Sequence, residues 1–190
     1  MASPDIGACL SAGFSGMKRN PVTHIVSTLL VGVVGGVTAG LLTGPMAVGY
    51  MRMIQKEDEG GKVEIADVFK GFDDFVPALL AVLLSSIAVS IGFMLCVLPG
   101  LLIMALVPTS AYLVAMGEKD GINAIRRAFA AIKENLLGTV ICSLVLGIVG
   151  SLGTILCGVG VILTMPIAVI GMYHMAKQIT ANDTPAIAQF

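Results

Sequence analysis

FVPALLAVLLSSIAVSIGFMLCVLPGLLIMALVPTSAYLVAMG, Phe75–Gly117, decides the class of this protein. No Lys, Arg, Asp or Glu interrupts it. A crossing helix needs about 20 apolar residues to span about 30 Å of hydrocarbon, so the stretch has room for two crossings and a turn. The turn signal stands in the middle, at Cys96-Val97-Leu98-Pro99-Gly100, where proline and glycine interrupt regular structure. Two more charge-free stretches flank it, one of 32 residues between Arg19 and Arg52 and one of about 42 between Glu134 and Lys177. Soluble helices need a polar face toward water, and three such stretches have no place in a soluble core. With 56% hydrophobic and 12% charged residues and a mean hydropathy of +0.96, the chain reads as an all-α polytopic membrane protein.

Helices are expected near Val76–Val97, Leu101–Met116, Leu136–Leu156 and Val161–Ala176, the last pair turning at Cys157-Gly158-Val159-Gly160. The stretch before Arg52 has two readings. Two short crossings, turned at Gly35-Gly36 or Gly40, give six crossings as three hairpins. One long helix gives five, and it aligns Gly32, Gly36, Gly40 and Gly44 in a small-residue stripe that lets membrane helices approach closely. Six is the preferred number. All eleven Lys and Arg lie in the N-terminal segment, the 52–70 and 119–133 loops or the C-terminal end. Six crossings put all of these on one side, which the positive-inside rule makes the cytoplasm, and both termini with them. The expected location is the cell inner membrane.

The chain reads as one membrane domain, 1–178, followed by a tail, 179–190. Within it a unit recurs, at about 1–58, 62–118 and 119–178. Each unit opens with a short amphipathic segment that sets a phenylalanine after Gly or Ala, at Phe14, Phe72 and Phe129. Each closes with a proline in its last apolar helix, at Pro45, Pro108 and Pro166, expected as kinks. Tyr50, Tyr112 and Tyr173 follow. In the second segment Ile65, Val68, Phe69, Phe72 and Val76 share one helical face. In the third Ile122, Ile125, Phe129, Ile132 and Leu136 do, and Ile6, Cys9, Leu10, Phe14 and Met17 form a weaker first copy. Such faces suit the membrane interface, with the phenylalanines as anchors. A soluble partner helix is the other use of the same face.

Chemistry is sparse. No HExxH, CxxC, phosphate-cradling glycine loop or Ser/His/Asp arrangement occurs, so no catalytic residue, metal site or cofactor is expected. His24 and His174 stand near helix ends and meet as a pair only if the membrane region closes on itself. Cys96 and Cys157 occupy equivalent turns, where a disulfide needs the turns to adjoin. Cys142 reads as membrane packing and Cys9 as an interfacial position. A net charge of −1 implies no attraction to nucleic acid.

Phe69-Lys70-Gly71-Phe72, Leu98-Pro99-Gly100, Ala124-Ile125-Arg126-Arg127-Ala128 and Cys157-Gly158-Val159-Gly160 with Pro166 resemble a group of prokaryotic membrane proteins of unknown function. That group is similar to the membrane region ahead of some glycerophosphodiester phosphodiesterase domains. The likeness covers residues 40–178 and implies an all-helical membrane module with cytoplasmic amphipathic segments. It carries no hydrolase activity over. The function expected is a non-catalytic membrane subunit or scaffold, packed against a partner membrane protein or a second copy. The alternative is a transporter or channel for a lipid or small neutral solute.

Overall fold

The computed structural model describes residues 4–38, 40–95, 100–101, 103–155 and 159–181. Among these, eight α-helices and one 310 segment occur, and no strand. In chain order they are α1 Ile6–Arg19, α2 Pro21–Val37, α3 Thr43–Asp58, the 310 segment Ile65–Asp74, α4 Phe75–Leu95, α5 Leu106–Ala115, α6 Gly121–Glu134, α7 Leu136–Ile155 and α8 Val159–Ile179. By length and composition, Ile65–Leu95, through its charge-free part Phe75–Leu95, and Leu136–Gly153 are fit to cross a membrane. α1 and α2 add a third span if the pair, bent by 104°, is one broken span.

Local chemistry sets the breaks. Asp5 caps α1 by accepting from the Ala8 backbone N–H at 3.0 Å, and Asp120 caps α6 by accepting from Ile122. Such caps satisfy donors that the first helical turn leaves free. α1 ends at Asn20 because Pro21 follows, and the residue before proline is held out of the helical region. Pro21 then opens α2, where its missing N–H costs nothing. The stretch before Arg52 forms two helices, not one. Gly40 turns between them at φ +87°, which glycine adopts without a steric cost.

Packing joins each opening segment to a closing helix. The 310 segment lies on α3, α6 on α4 and α5, and α1 on α8. That last contact brings the two ends of the chain together. The Asp5 N–H donates to Gln178 Oε1 at 2.7 Å, and Gly13 sits against the Ile167 carbonyl. The closing helices α3, α5 and α8 supply much of the core, including Tyr50, Tyr112 and Tyr173, all buried. Burying a large apolar side chain is worth roughly 1.5–3 kcal/mol.

Two expectations are corrected here. Residues 65–74 are 310, not α, and run unbroken into α4. Three residues per turn stack side chains at i and i+3. Phe69, Phe72 and Phe75 therefore form a row with ring centroids 6.1 Å apart at each step. Asp67, Val68 and Gly71 face inward instead. The prolines differ from one another. Pro166 lies inside α8, but Pro45 and Pro108 stand in the first turns of α3 and α5. There a proline blocks no hydrogen bond that the helix would otherwise make, so neither kinks its helix.

Asp67 is the buried charge of the 310 segment. Its carboxylate accepts from the Glu64 N–H and Lys56 Nζ, both at 2.9 Å, and pairs with Lys70 at 2.6 Å. Burial pushes its pKa up, but Lys70, the Glu64 N–H and Lys56 outweigh burial and hold it at about 2, below the ordinary 3.8. A depressed carboxylate stabilises the fold above its unfolded pKa and loses that stabilisation as pH falls through the folded one. Asp67→Asn should cost about 2 kcal/mol at neutral pH. It should also flatten the fall in melting temperature between about pH 4 and pH 2. An acid limb unchanged by the substitution would refute the assignment.

Candidate functional site

The last turn of α3 carries two adjacent carboxylates, Glu57 and Asp58, and each finds a histidine. Glu57 is only 5% exposed. Its Oε2 lies 2.9 Å from His24 Nε2, and its Oε1 accepts from Asn20 Nδ2 at 2.5 Å. Arg19 Nε stands 3.9 Å from the same oxygen. Asp58 pairs with Arg19 at 3.5 Å and Lys177 at 3.2 Å, and His174 Nε2 lies 3.7 Å away. Two residues of α3 thus tie together the end of α1, the start of α2 and the end of α8.

A carboxylate oxygen accepts, so in its Nε2–H tautomer His24 donates to Glu57 and leaves Nδ1 as an acceptor. His24 Nδ1 then accepts from the Tyr50 hydroxyl at 3.1 Å, and that hydroxyl accepts from Thr28 Oγ1 at 3.2 Å. The chain of bonds Thr28, Tyr50, His24, Glu57 runs in one direction with every donor placed. His24 is wholly buried. With one ring nitrogen on Tyr50 and the other on Glu57, His24 ties α2 to α3. A buried, fully satisfied network of this kind favours one arrangement of the elements that share it.

A second polar tie lies on the other side of α3. Arg52 donates from Nε to the Ala115 carbonyl at 3.2 Å and from Nη1 to the Lys70 carbonyl at 2.9 Å. It also pairs with Asp74. Ala115 is the final residue of α5, where unpaired carbonyls and the helix dipole favour a cation.

The other candidate residues fall in several places. Gly32, Gly36, Gly40 and Gly44 do not form one stripe, because the chain turns between α2 and α3. Gly44 packs on α4, where a Cβ would lie 2.8 Å from the Ala78 carbonyl. Gly32 and Gly36 are exposed, and a Cβ at either would meet nothing within 4 Å among the described residues. Beside them an apolar groove of about 400 Å³ separates α2 from α8, lined by Leu29, Val31, Val33, Ile162, Met165 and Val169 among others. Phe14 and Phe129 are 46% and 41% exposed, and Phe72 is half-buried. Phe14 parts from Cys9 and Met17, which are buried with Gly13 and Gly16 on the α1 face toward α8. Cys96 and Cys157 lie outside the described residues. Cys142 and Cys9 are both free and buried. Among the described residues no three His, Cys, Asp or Glu side chains group to hold a metal ion.

The sequence reading puts Glu57 and Asp58 in the 52–70 loop and does not single them out. The signal was present. Tyr50, Met53, Ile54 and Glu57 recur at helical spacing, so the buried stripe of α3 continues beyond Arg52 and ends on a carboxylate. No family model, curated protein or solved structure matches the chain.

Proposed function

We propose that the chain is a non-catalytic integral membrane subunit whose α2 receives a helix of a partner membrane protein or of a second copy. It sits in the cell inner membrane with six crossings as three hairpins, termini cytoplasmic, built from three copies of one unit. The observation that carries the reading is the outer face of α2. A Cβ at Gly32 or Gly36 would meet nothing among the described residues, while Leu29, Val33 and Val37 are 49%, 56% and 83% exposed around them. Helices in lipid associate by close packing at small residues, because no hydrophobic drive separates them from the lipid tails. Gly35, between the two, is already spent on the hairpin, against Thr43. The satisfied network at His24 supports a structural role for the charged end. The order of packing, each opening segment on a closing helix, supports the repeat.

The test is what stays associated in mild detergent. Gly32→Leu and Gly36→Leu should fold and melt like the wild type, since each side chain enters open space. Both should lose the co-purifying polypeptide, or the dimer. Variants that keep every associated chain and the same mass would overturn the reading. A monomer with a wet central path would instead favour transport of a lipid or small neutral solute.

A further inference from the structure

We propose that a cavity at the charged end of the bundle, where α3, α5 and α8 converge, binds a small organic ammonium group. Its volume is about 240 Å³, and its wall includes Gln55, Asp58 and Glu59 from the α3 end, Tyr112 from α5, and Tyr173 and Lys177 from α8. Tyr173 is wholly buried, yet its hydroxyl has no hydrogen-bond partner among the described residues. A buried hydroxyl left unpaired costs free energy that a ligand can recover.

The chemistry of the wall selects the ligand. Asp58 and Glu59 are its carboxylates, and Asp58 already pairs with Arg19 and Lys177. Among the described residues the Glu59 side chain is held by a neutral amide, Gln55 Nε2 at 3.0 Å from its Oε1. Tyr112 and Tyr173 meet edge to face with centroids 5.3 Å apart, and the face of a phenol ring attracts a cation. The site already holds an ammonium of its own. Lys177 Nζ sits 5.7 Å from the Tyr173 ring centroid and 3.2 Å from Asp58. Lys177 is half exposed on a four-carbon stem, so it can leave. An incoming primary ammonium has three donors, which match the Tyr173 hydroxyl and the two carboxylates. Lys177 is therefore a displaceable internal occupant. The chemistry fits a free amine and the ethanolamine headgroup of a phospholipid equally.

The whole chain, reconstituted in phosphatidylglycerol nanodiscs, is titrated with ethanolamine against matched potassium chloride, and the melting temperature is followed. A saturable rise is expected with ethanolamine and not with potassium. Tyr173→Phe should weaken the half-saturation roughly 3- to 10-fold, the loss of one hydrogen bond. Lys177→Met should tighten it, which a purely structural lysine would not do. Repetition in phosphatidylethanolamine nanodiscs separates the sources. A response abolished there means that the headgroup already fills the site, and a response retained means a soluble amine. No saturable response in phosphatidylglycerol would overturn the proposal. So would wild-type affinity in a folded Lys177→Met variant, whether or not Tyr173→Phe folds.

Discussion

Gly71→Ala should destabilise the protein strongly, although it adds a single methyl group. A Cβ at position 71 would lie 1.8 Å from the Pro45 carbonyl oxygen and 2.5 Å from the Gly49 nitrogen. Its opposite number is as tight, for a Cβ at Gly49 would lie 1.8 Å from the Val68 carbonyl oxygen. The two glycines face each other where the 310 segment lies on α3, and every close atom is backbone. No rotamer change relieves such a clash, so the segment must move off α3. Asp67 would then part from Lys56, and Arg52 from Asp74. Overpacking costs 1–3 kcal/mol where side chains can yield, so about 3 kcal/mol or more is expected where they cannot. Size-exclusion profiles and melting curves in detergent measure it. Gly36→Ala is the control, with open space around its Cβ. A Gly71→Ala protein melting within a few degrees of the wild type would show that this interface is not close-packed.

The same pair of elements shows what the residues disclose before any coordinates. Charge-free stretches place Phe75–Leu95, Leu136–Ile155 and Val159–Ile179 to within a few residues, because solvent and backbone chemistry act locally. The helix expected from Leu101 is described from Leu106, and the turn signals at Cys96 and Cys157 lie outside the described residues. Amphipathic periodicity finds the segment at Ile65 but not its helix type. Val68 and Phe69 are both apolar, and only the docking of Gly71 on Pro45 decides that Val68 turns inward while Phe69 joins the outer row. The glycine pattern misleads for a related reason. Spacing of four suits a continuous stripe, yet Gly40 at positive φ ends the helix and parts Gly44 from the others. The polar hub is the least readable feature. Its partners lie 33 residues apart at His24 and Glu57, or come from the far end of the chain at His174 and Lys177. Nothing in the order of residues states that α8 returns to α1.

That return makes Glu57 the second residue on which the fold depends strongly. Glu57→Ala should destabilise the protein by roughly 3–5 kcal/mol, the usual cost of leaving the partners of a buried charge unpaired. His24 Nε2 and Asn20 Nδ2 would lose their acceptor, and Arg19 would keep Asp58. Glu57→Gln should cost less, since an amide oxygen can still accept from one donor while its own N–H₂ faces another. The loss should also be local before it is global. Asn20 and Arg19 link α1 to the hub, so α1 should come away from α8 while α3 and the 310 segment stay docked through Arg52. Cys9 reports this, being a buried thiol on α1. In a chain keeping only that cysteine, Glu57→Ala should raise the rate of maleimide labelling by at least tenfold under native conditions, and Glu57→Gln by less. Labelling that stays at the wild-type rate in Glu57→Ala, with melting unchanged, would mean that α1 is held by Gly13, Gly16 and Gln178 without help from the charges. The buried hub would then be free for a role other than closing the bundle.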